Sequence, residues 1–302
     1  MSEKGHYIDR KGRPVVRPSC CIYADLLGMT ERIRGCADSS QAATLCASMF
    51  RLFKKVGQEL GDPWNINESF SAHQFISDGL VIAAPLSGKD DDGGLGFTLL
   101  DIARAQLFLV LSGFPVRGGV TYGDLHLSRR LLIGRPFLDA YNIERNRAIF
   151  PRMVVDSTIL GLAKHHVSFF GIPERAPQTK ALWKDEDGEV FINYLDCVNG
   201  DFGADLNTIK KHRRIIAAGL KRFADQPRVL QKYKWMASYH NEFCENHLEM
   251  GEDAAGQRSG ALSRLLIEPT SRRFSRWGLD LPSVHVPPKL GGKRIQTRRG
   301  HR

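Results

Sequence analysis

The spacing of hydrophobic and polar residues divides the first part of the chain into short strands and amphipathic helices. The apolar run Cys20–Leu26 predicts a buried strand. From Gly35 to Leu60 apolar residues recur at the spacing of one helix face, which predicts a helix packed on a sheet. The stretch Phe70–Ala84 predicts a hairpin with the turn Ser77-Asp78-Gly79, because an Asp-Gly pair tolerates the backbone angles of a tight turn.

Further along the chain, apolar helices continue to alternate with short strands. Gly118 and Gly119 fall inside one predicted strand, and the close approach of another backbone is the usual reason for such a pair. Pro136 occupies the favoured first position of a helix. The predicted elements are a helix over 97–111, a strand over 116–122, a short strand over 131–133, a helix over 136–148, mixed pieces over 154–195 and an aromatic-rich helical stretch over 206–248.

The order strand, helix, hairpin, helix, strand, strand, helix predicts an α+β sandwich in which helices cover one sheet. We expect four regions along the chain. They are a loosely held leader over 1–18, the main domain over 19–200, a helical extension over 201–249, and a basic tail over 250–302 that is predicted to lack stable structure.

The formal net charge of +10 suggests a polyanionic partner, such as nucleic acid, anionic lipid or a phosphorylated small molecule. Much of the excess lies in the tail, where Lys289–Arg302 contains six Lys and Arg residues and no acid. A solvated tail is the simpler interpretation of this charge. A nucleic-acid-binding arm is the alternative.

Several features indicate a cytoplasmic protein without a membrane segment. No apolar run reaches the roughly 18 residues that a membrane span needs. The first 18 residues are polar and lack the apolar block of a secretory signal. The cysteines match no metal-binding spacing, so we interpret them as reduced thiols; they are Cys20, Cys21, Cys36, Cys46, Cys197 and Cys244.

Two acids occupy positions where a carboxylate can act chemically. Asp25 ends the first predicted strand, where a buried acid is costly unless it is paired or holds a cation, and Asp78 lies in the hairpin turn. Each acid alone is better explained as a helix cap or a turn former. If the strand and the hairpin share a sheet, both carboxylates enter one crevice, which suits Mg²⁺ or Mn²⁺ bound with phosphates. The carbonyl of Leu26 is a further candidate ligand.

Phosphate-binding groups are expected on both sides of this crevice. The link from strand to helix is Leu27-Gly28-Met29-Thr30, whose glycine lets the backbone approach a ligand and whose amides suit a phosphate. Arg117, on the strand before the paired glycines, has a guanidinium that suits the same group.

Tyr141 and Arg145 are four residues apart on a predicted helix and therefore share one face. Arg145 is a candidate for neutralising charge on a transferred phosphoryl group, and Tyr141 for stacking on a base or bonding to a sugar. A packed tyrosine and a surface arginine beside Glu144 are equally compatible with the pattern. The histidines show no metal-binding spacing and are predicted to be structural; they are His165, His166, His240 and His247.

Four stretches together, in this order and spacing, resemble the catalytic domain of class III nucleotide cyclases over roughly residues 19–195. Each stretch alone is unspecific, whereas the four in order are fairly specific. They are Tyr23–Thr30, Ile76–Gly79, Arg117–Gly123, and Ile133–Pro136 leading into Ala140–Glu144.

The resemblance implies a cyclase-like sandwich of a mainly antiparallel sheet with helices, and two metal ions per active site, Mn²⁺ or Mg²⁺. In that family two strand-borne aspartates hold the metals, which carries over to Asp25 and Asp78 with the main chain of Leu26. The metals activate the 3′-hydroxyl of a nucleoside triphosphate for attack on the α-phosphate, and pyrophosphate leaves. The active site forms between two such domains, so the resemblance also implies a homodimer.

The chain departs from the adenylyl and guanylyl members at the positions that read a purine and stabilise the transition state. The purine-reading pair is replaced by Gln74 and Leu131, and the transition-state pair by Leu138 and Asn142. Tyr141 and Arg145 lie about one helical turn further on, with the same spacing. Both metal-binding acids are retained.

This pattern is similar to the pyrimidine cyclases of bacterial Pycsar anti-phage systems, as is the stretch Lys232–Asn241. The resemblance implies a cyclase that makes cyclic UMP from UTP, and a separate effector that senses the product. Cyclic CMP is the alternative product. A non-catalytic cyclase-like dimer that binds nucleotide, and a nucleic-acid-binding protein that uses the basic tail, are the competing interpretations.

Overall fold

The computed structural model describes residues 6–60, 71–87, 91–167, 176–200, 203–247, 264–267 and 272–278. Its elements in chain order are β1 (Arg17–Leu26), α1 (Met29–Arg34), α2 (Ser39–Leu60), β2 (Ala72–Ile76), β3 (Gly79–Pro85), α3 (Asp92–Leu111), β4 (Val116–Leu127), β5 (Leu132–Ile133), α4 (Arg135–Asn146), β6 (Met153–Val155), α5 (Ser157–Val167), α6 (Pro177–Ala181), β7 (Leu182–Asp185), β8 (Val190–Ile192), a 3₁₀ helix (Tyr194–Val198), β9 (Asn199–Gly200), β10 (Gly203–Ala204), α7 (Leu206–Arg222), α8 (Pro227–His247) and β11 (Phe274–Arg276).

One nine-stranded sheet organises the molecule, with the strand order β11-β7-β8-β6-β4-β1-β3-β2 and β5 paired to β4. Within the described ranges, β4 and β6 pair in parallel and the other neighbours of this sheet pair antiparallel. The predicted α+β fold with a mainly antiparallel sheet and helices is confirmed. The predicted hairpin is β2 and β3.

Strand β1 lies near the middle of the sheet because its residues are apolar on both faces. Cys20 and Ile22 join the large core formed with α2 and α3, whereas Cys21 joins a second cluster on the opposite face that includes Val81. Successive side chains of a strand point to opposite faces, so an uninterrupted apolar run suits a position covered on both sides. The strand therefore delivers Asp25 to the rim of the sheet from a rigid position.

Helix α3 is apolar around most of its circumference and packs into the large core through Leu95, Leu99 and Ile102. Among the residues that the structure describes, it is the one helix whose length and composition would allow it to cross a membrane. Half of its most apolar 18-residue segment is buried. Core helices of soluble proteins pass the same test.

The two C-terminal helices α7 and α8 belong to the same core as the sheet. Trp235, Met236 and Phe243 of α8 are almost fully buried in the large core. The single helical stretch predicted over 206–248 is divided into these two helices at 223–226. The extension therefore packs on the sheet and shares its core.

The described part of the predicted tail is structured, whereas the sequence predicts that it lacks stable structure. Strand β11 extends the sheet at β7, with Phe274 buried, and Arg272 forms an ion pair of 2.6 Å with Asp185. Asp185 also accepts from Trp235 Nε1 at 2.7 Å and contacts the fully buried Arg152. These contacts compensate the buried charges and give this segment a fixed place. The basic segment Lys289–Arg302 lies outside the described residues.

The predicted leader is also packed on the domain, from residue 6 onward, whereas the sequence predicts that it is loosely held. Tyr7 is 1% exposed and its hydroxyl donates to Ser19 Oγ at 2.7 Å. A β-bridge joins Ile8 to Pro14, and the carbonyl of Val15 lies 2.9 Å from His126 Nδ1. The segment before β1 therefore covers one face of the sheet instead of hanging loosely.

His240 has a structural role, as predicted from its spacing. It continues a buried chain of polar groups in which Tyr194 Oη lies 2.9 Å from His212 Nε2, the two histidine Nδ1 atoms lie 3.0 Å apart, and His240 Nε2 lies 3.0 Å from the carbonyl of Leu265. Burial lowers the pKa of both histidines, that of His240 to about 4.

The six cysteines are free thiols.

Candidate active site

The two predicted metal-binding acids lie side by side at the rim of the sheet. In the strand register Asp25 is opposite Gly79 on β3 and opposite Arg117 on β4. Asp78 occupies the turn immediately before Gly79, and its carbonyl accepts from the amide of Leu26 at 3.3 Å. The strand end and the hairpin turn are thus held together by backbone pairing, which fixes both carboxylates on rigid supports.

Glycines allow the elements around the two acids to approach closely. A Cβ at Gly79 would lie 3.0 Å from the Tyr23 ring, so the hairpin turn packs directly on that side chain. A Cβ at Gly118 would overlap the carbonyl of Tyr23, and one at Gly119 would overlap the carbonyl of Ala140. The predicted close approach at the paired glycines is confirmed, since it brings α4 onto β4 beside Asp25.

Asp25 lies in a partly buried, charged environment. Burial raises its pKa and the negative charge of Asp78 raises it further, whereas Arg117 and Lys232 oppose the rise. The side chain of Asp25 is 23% exposed, so its carboxylate is desolvated but still reachable. Such a carboxylate is stabilised by any cation that binds between it and its neighbour.

Arg117 bridges Asp25 to a third acid that sequence reasoning did not select. Its Nε lies 3.7 Å from Asp25 Oδ2, and its Nη2 forms an ion pair of 2.6 Å with Glu144 Oε1. The Glu144 side chain is only 6% exposed, and burial raises its pKa while Arg117 opposes the rise. The helical spacing from the buried Ala140 already places Glu144 on the inner face of α4, which is the signal that identifies it.

Lys232, on α8, is the second residue to which sequence reasoning assigned no role at the site, although it begins the stretch that resembles the pyrimidine cyclases. Burial lowers its pKa, and so does Arg117, whereas Asp25 and Glu144 oppose the lowering. Its amine therefore belongs to the same electrostatic cluster as the two carboxylates. A lysine some 200 residues from Asp25 in sequence has no local pattern that reveals this position.

The predicted phosphate-binding loop lies directly after Asp25. The amide of Leu27 donates to the carbonyl of Pro115 at 2.9 Å, and Gly28 has a φ of 84°, a left-handed conformation that favours glycine. Met29 is 4% exposed and belongs to the core, whereas Leu27, Gly28 and Thr30 line a cavity. Of the four predicted loop residues, Leu27, Gly28 and Thr30 thus face this cavity, and Met29 anchors the short helix α1 in the core.

Tyr141 and Arg145 lie on the outer side of α4. The Tyr141 ring packs edge-on against Tyr23, with 5.3 Å between the ring centroids. Burial, and then the charges of Asp25 and its acidic neighbours, raise the pKa of Tyr23 to about 12. Tyr141 thus contacts Tyr23, the side chain that lies next to Asp25. Arg145 is exposed one turn further along the helix.

The four positions that the sequence analysis singled out as replaced lie at or near the surface. Gln74 is half-buried on β2, opposite Val81. Leu131 and Leu138 are 44% and 58% exposed, and Asn142 is exposed. These four side chains carry no formal charge.

The donor set fits divalent cations that take part of their coordination from a substrate. Hard cations prefer carboxylate and carbonyl oxygens, and Mg²⁺ in particular binds through one or two carboxylates together with substrate phosphates. Asp25 and Asp78 are such a pair. Burial, and then the negative charge of Asp78, raises the pKa of Asp25. Within the described residues, no group of three or more His, Cys, Asp or Glu side chains is placed to hold a metal by itself.

Comparison with known proteins identifies no family. No protein-family model matches the chain, and no curated protein matches it. Among solved structures, the chain is similar to one described as the crystal structure of the guanylyl cyclase Cya2, with 17% identity and a TM-score of 0.38, covering 59% of this chain and 91% of that one. A similarity of this size supports no conclusion about activity.

Proposed function

We propose that the chain is a nucleotide cyclase that converts UTP to 3′,5′-cyclic UMP and pyrophosphate. The observation that carries the proposal is the pairing of Asp25 and Asp78 at the rim of the sheet, beside Arg117. The order of the four sequence stretches, which resembles class III cyclases, supports the same reaction.

The proposed roles follow from the positions of the side chains. Asp25 and Asp78, with the Leu26 carbonyl, would hold two Mn²⁺ or Mg²⁺ ions, which supply Lewis acidity to the 3′-hydroxyl and the α-phosphate. Arg117, oriented by Glu144, would bind a phosphate oxygen with its guanidinium. The loop Leu27, Gly28, Met29 and Thr30 would bind the triphosphate through its main chain, since the Met29 side chain is buried in the core.

In the reaction a bond forms between the 3′-oxygen and the α-phosphorus, while the bond from the α-phosphorus to the bridging oxygen of pyrophosphate breaks. The hydroxyl proton leaves to solvent. Negative charge grows on the leaving pyrophosphate and on the phosphoryl oxygens. Arg145 would neutralise part of this charge, and Tyr141 would contact the base or the ribose.

A homodimer is part of the proposal. An exposed apolar patch lies on β5 and the start of α4, next to Tyr141, and exposed apolar patches commonly mark interfaces. Ile133 and Leu138 are each 58% exposed, Leu131 is 44% exposed and Tyr141 is 39% exposed. A second copy that covers this patch would bring further side chains to the rim where Asp25 lies.

The choice of a pyrimidine rests on the altered purine-reading positions, Gln74 and Leu131, and on the resemblance to Pycsar cyclases. That resemblance also supports a role in anti-phage defence inside the cytoplasm, with a separate effector that senses the cyclic nucleotide. CTP is the alternative substrate, and a dimer that binds nucleotide without turnover is the alternative activity.

The test is product formation by purified protein with Mn²⁺ and UTP. We expect Asp25→Ala and Asp78→Ala each to abolish the product while the protein stays folded. Asp101→Ala removes another half-buried acid, on α3, and serves as the matched control that keeps activity. Turnover that survives in either site variant would contradict the assignment of the metal ligands, and nucleotide binding without any product would favour the non-catalytic alternative.

A further inference from the structure

A cavity of about 430 Å³ lies between the loop after β1, helix α1 and the C-terminal helices α7 and α8. This volume is within the range of small-molecule sites. One wall is formed by Leu27 and Gly28, which directly follow the candidate metal ligands. The opposite wall belongs to the helical extension and has no role in the proposed reaction.

The charge around this cavity is strongly one-sided. Arg32, Arg222 and Lys232 line it together with a single acid, Glu31, whose side chain is 75% exposed and lies 3.7 Å from Arg34 outside the cavity. Within the described ranges, no ion pair joins any of the three lining cations to a carboxylate. The cavity therefore favours an anionic occupant.

The remaining lining is largely apolar and aromatic. Phe223 and Tyr233 stack with 5.4 Å between their ring centroids and 21° between their planes. A Cβ at Gly219 would overlap the Tyr233 ring, so the glycine lets this ring lie directly on the backbone of α7. The aromatic wall is thus built into the packing of the two helices.

The positive groups and the aromatic wall meet at one place. The positive charges of Arg32 and Arg222 both act to lower the pKa of the Tyr233 hydroxyl, which burial raises. Arg32 is itself fixed, since its Nη2 donates to the carbonyl of Gly113 at 2.9 Å and its guanidinium lies 4.2 Å from the Phe114 ring centroid. A ligand that carries both an anionic group and a flat ring would therefore contact the guanidinium groups with the first and the aromatic wall with the second.

We propose that this cavity binds a small molecule with a flat aromatic or apolar body and an anionic group, and that its occupant modulates the metal site through the Leu27–Gly28 loop and Lys232. Binding itself does not depend on the proposed cyclase activity, whereas the modulation rests on it. Lys232 links the two sites, because it lines the cavity and also belongs to the charged cluster of Asp25.

The binding test uses 8-anilinonaphthalene-1-sulfonate, a fluorescent probe with an aromatic body and a sulfonate, at 0.15 M salt without nucleotide or metal. We expect saturable binding of one probe per chain. Arg222→Gln should weaken it at least tenfold, and Val229→Trp, which fills the cavity, should reduce it comparably. Lys221→Gln removes the neighbouring exposed cation, which does not line the cavity, and should leave the affinity unchanged.

Two results would overturn the site: no saturable binding by the wild type, or equal affinity in the wild type and both cavity variants when thermal melting shows that they are folded.

For the modulation, Mn²⁺ affinity is measured by electron paramagnetic resonance. Saturating probe should change it severalfold in the wild type and not in Arg222→Gln, and an unchanged value in the wild type would refute the link. A chain that binds the probe but makes no cyclic nucleotide would contradict the proposed function and leave the site intact.

Discussion

Protonation of His240 should destabilise the fold at mildly acidic pH. The buried chain of hydrogen bonds is satisfied when Tyr194 donates to His212 Nε2, His212 Nδ1 donates to His240 Nδ1, and His240 Nε2 donates to the Leu265 carbonyl. In this arrangement every ring nitrogen is used while both rings are neutral. An added proton has no acceptor and would lie in a buried environment.

The size of the effect follows from the pKa of His240, which burial lowers from 6.5 to about 4. Between these two pH values the unfolded chain binds more protons than the folded chain, so stability is lost as the pH falls. For one such group the loss between pH 7 and pH 5 is about 2 kcal/mol. His212, whose pKa burial also lowers, acts in the same direction.

The assay is denaturant unfolding at pH 7 and pH 5, followed by tryptophan fluorescence, for the wild type and His240→Gln. We expect the variant to lose about 2 kcal/mol less than the wild type over this interval, whatever its stability at pH 7. His165→Gln removes a histidine outside the buried chain and serves as the matched control. An equal loss in the wild type and His240→Gln would refute the reasoning.

Three further predictions concern the charged side chains around Asp25, the buried ion pair of the core and the proposed dimer. Glu144→Gln leaves Arg117 without its 2.6 Å ion-pair partner and should lower kcat/KM for UTP about tenfold, with partial rescue by Glu144→Asp; steady-state kinetics check this. Arg152→Met leaves the buried Asp185 carboxylate short of a partner and should cost about 3 kcal/mol in the free energy of unfolding, measured by denaturant titration. Ile133→Asp places a charge on the exposed apolar patch and should convert a dimer to a monomer in sedimentation with little loss of stability.

The sheet and the placement of the two aspartates were predictable from local patterns. The uninterrupted apolar run of β1 indicates a strand covered on both faces, and the Asp-Gly turn fixes the hairpin that pairs with it. Once these two elements are neighbours, the register brings Asp25 next to the turn that contains Asp78. Short-range spacing suffices here because both acids lie at element ends.

The residues that sequence reasoning missed depend on long-range packing. Lys232 reaches the charged cluster only because α8 packs on the sheet, and no spacing in the sequence encodes that contact. The polar and basic sequence around strand β11 predicts a tail, yet Arg272 forms an ion pair with Asp185, about 90 residues earlier. Glu144 differs from these, since the inner face of α4 could have been derived from Ala140 and Ile143.

The most direct test of the central claim is a competition among substrates. Purified protein is incubated with Mn²⁺ and an equimolar mixture of ATP, GTP, CTP and UTP, and the cyclic products are quantified by mass spectrometry beside Asp25→Ala. We predict that cyclic UMP dominates for the wild type and that the variant makes no cyclic nucleotide. No cyclic product from the wild type, or cyclic AMP alone, would contradict the proposal.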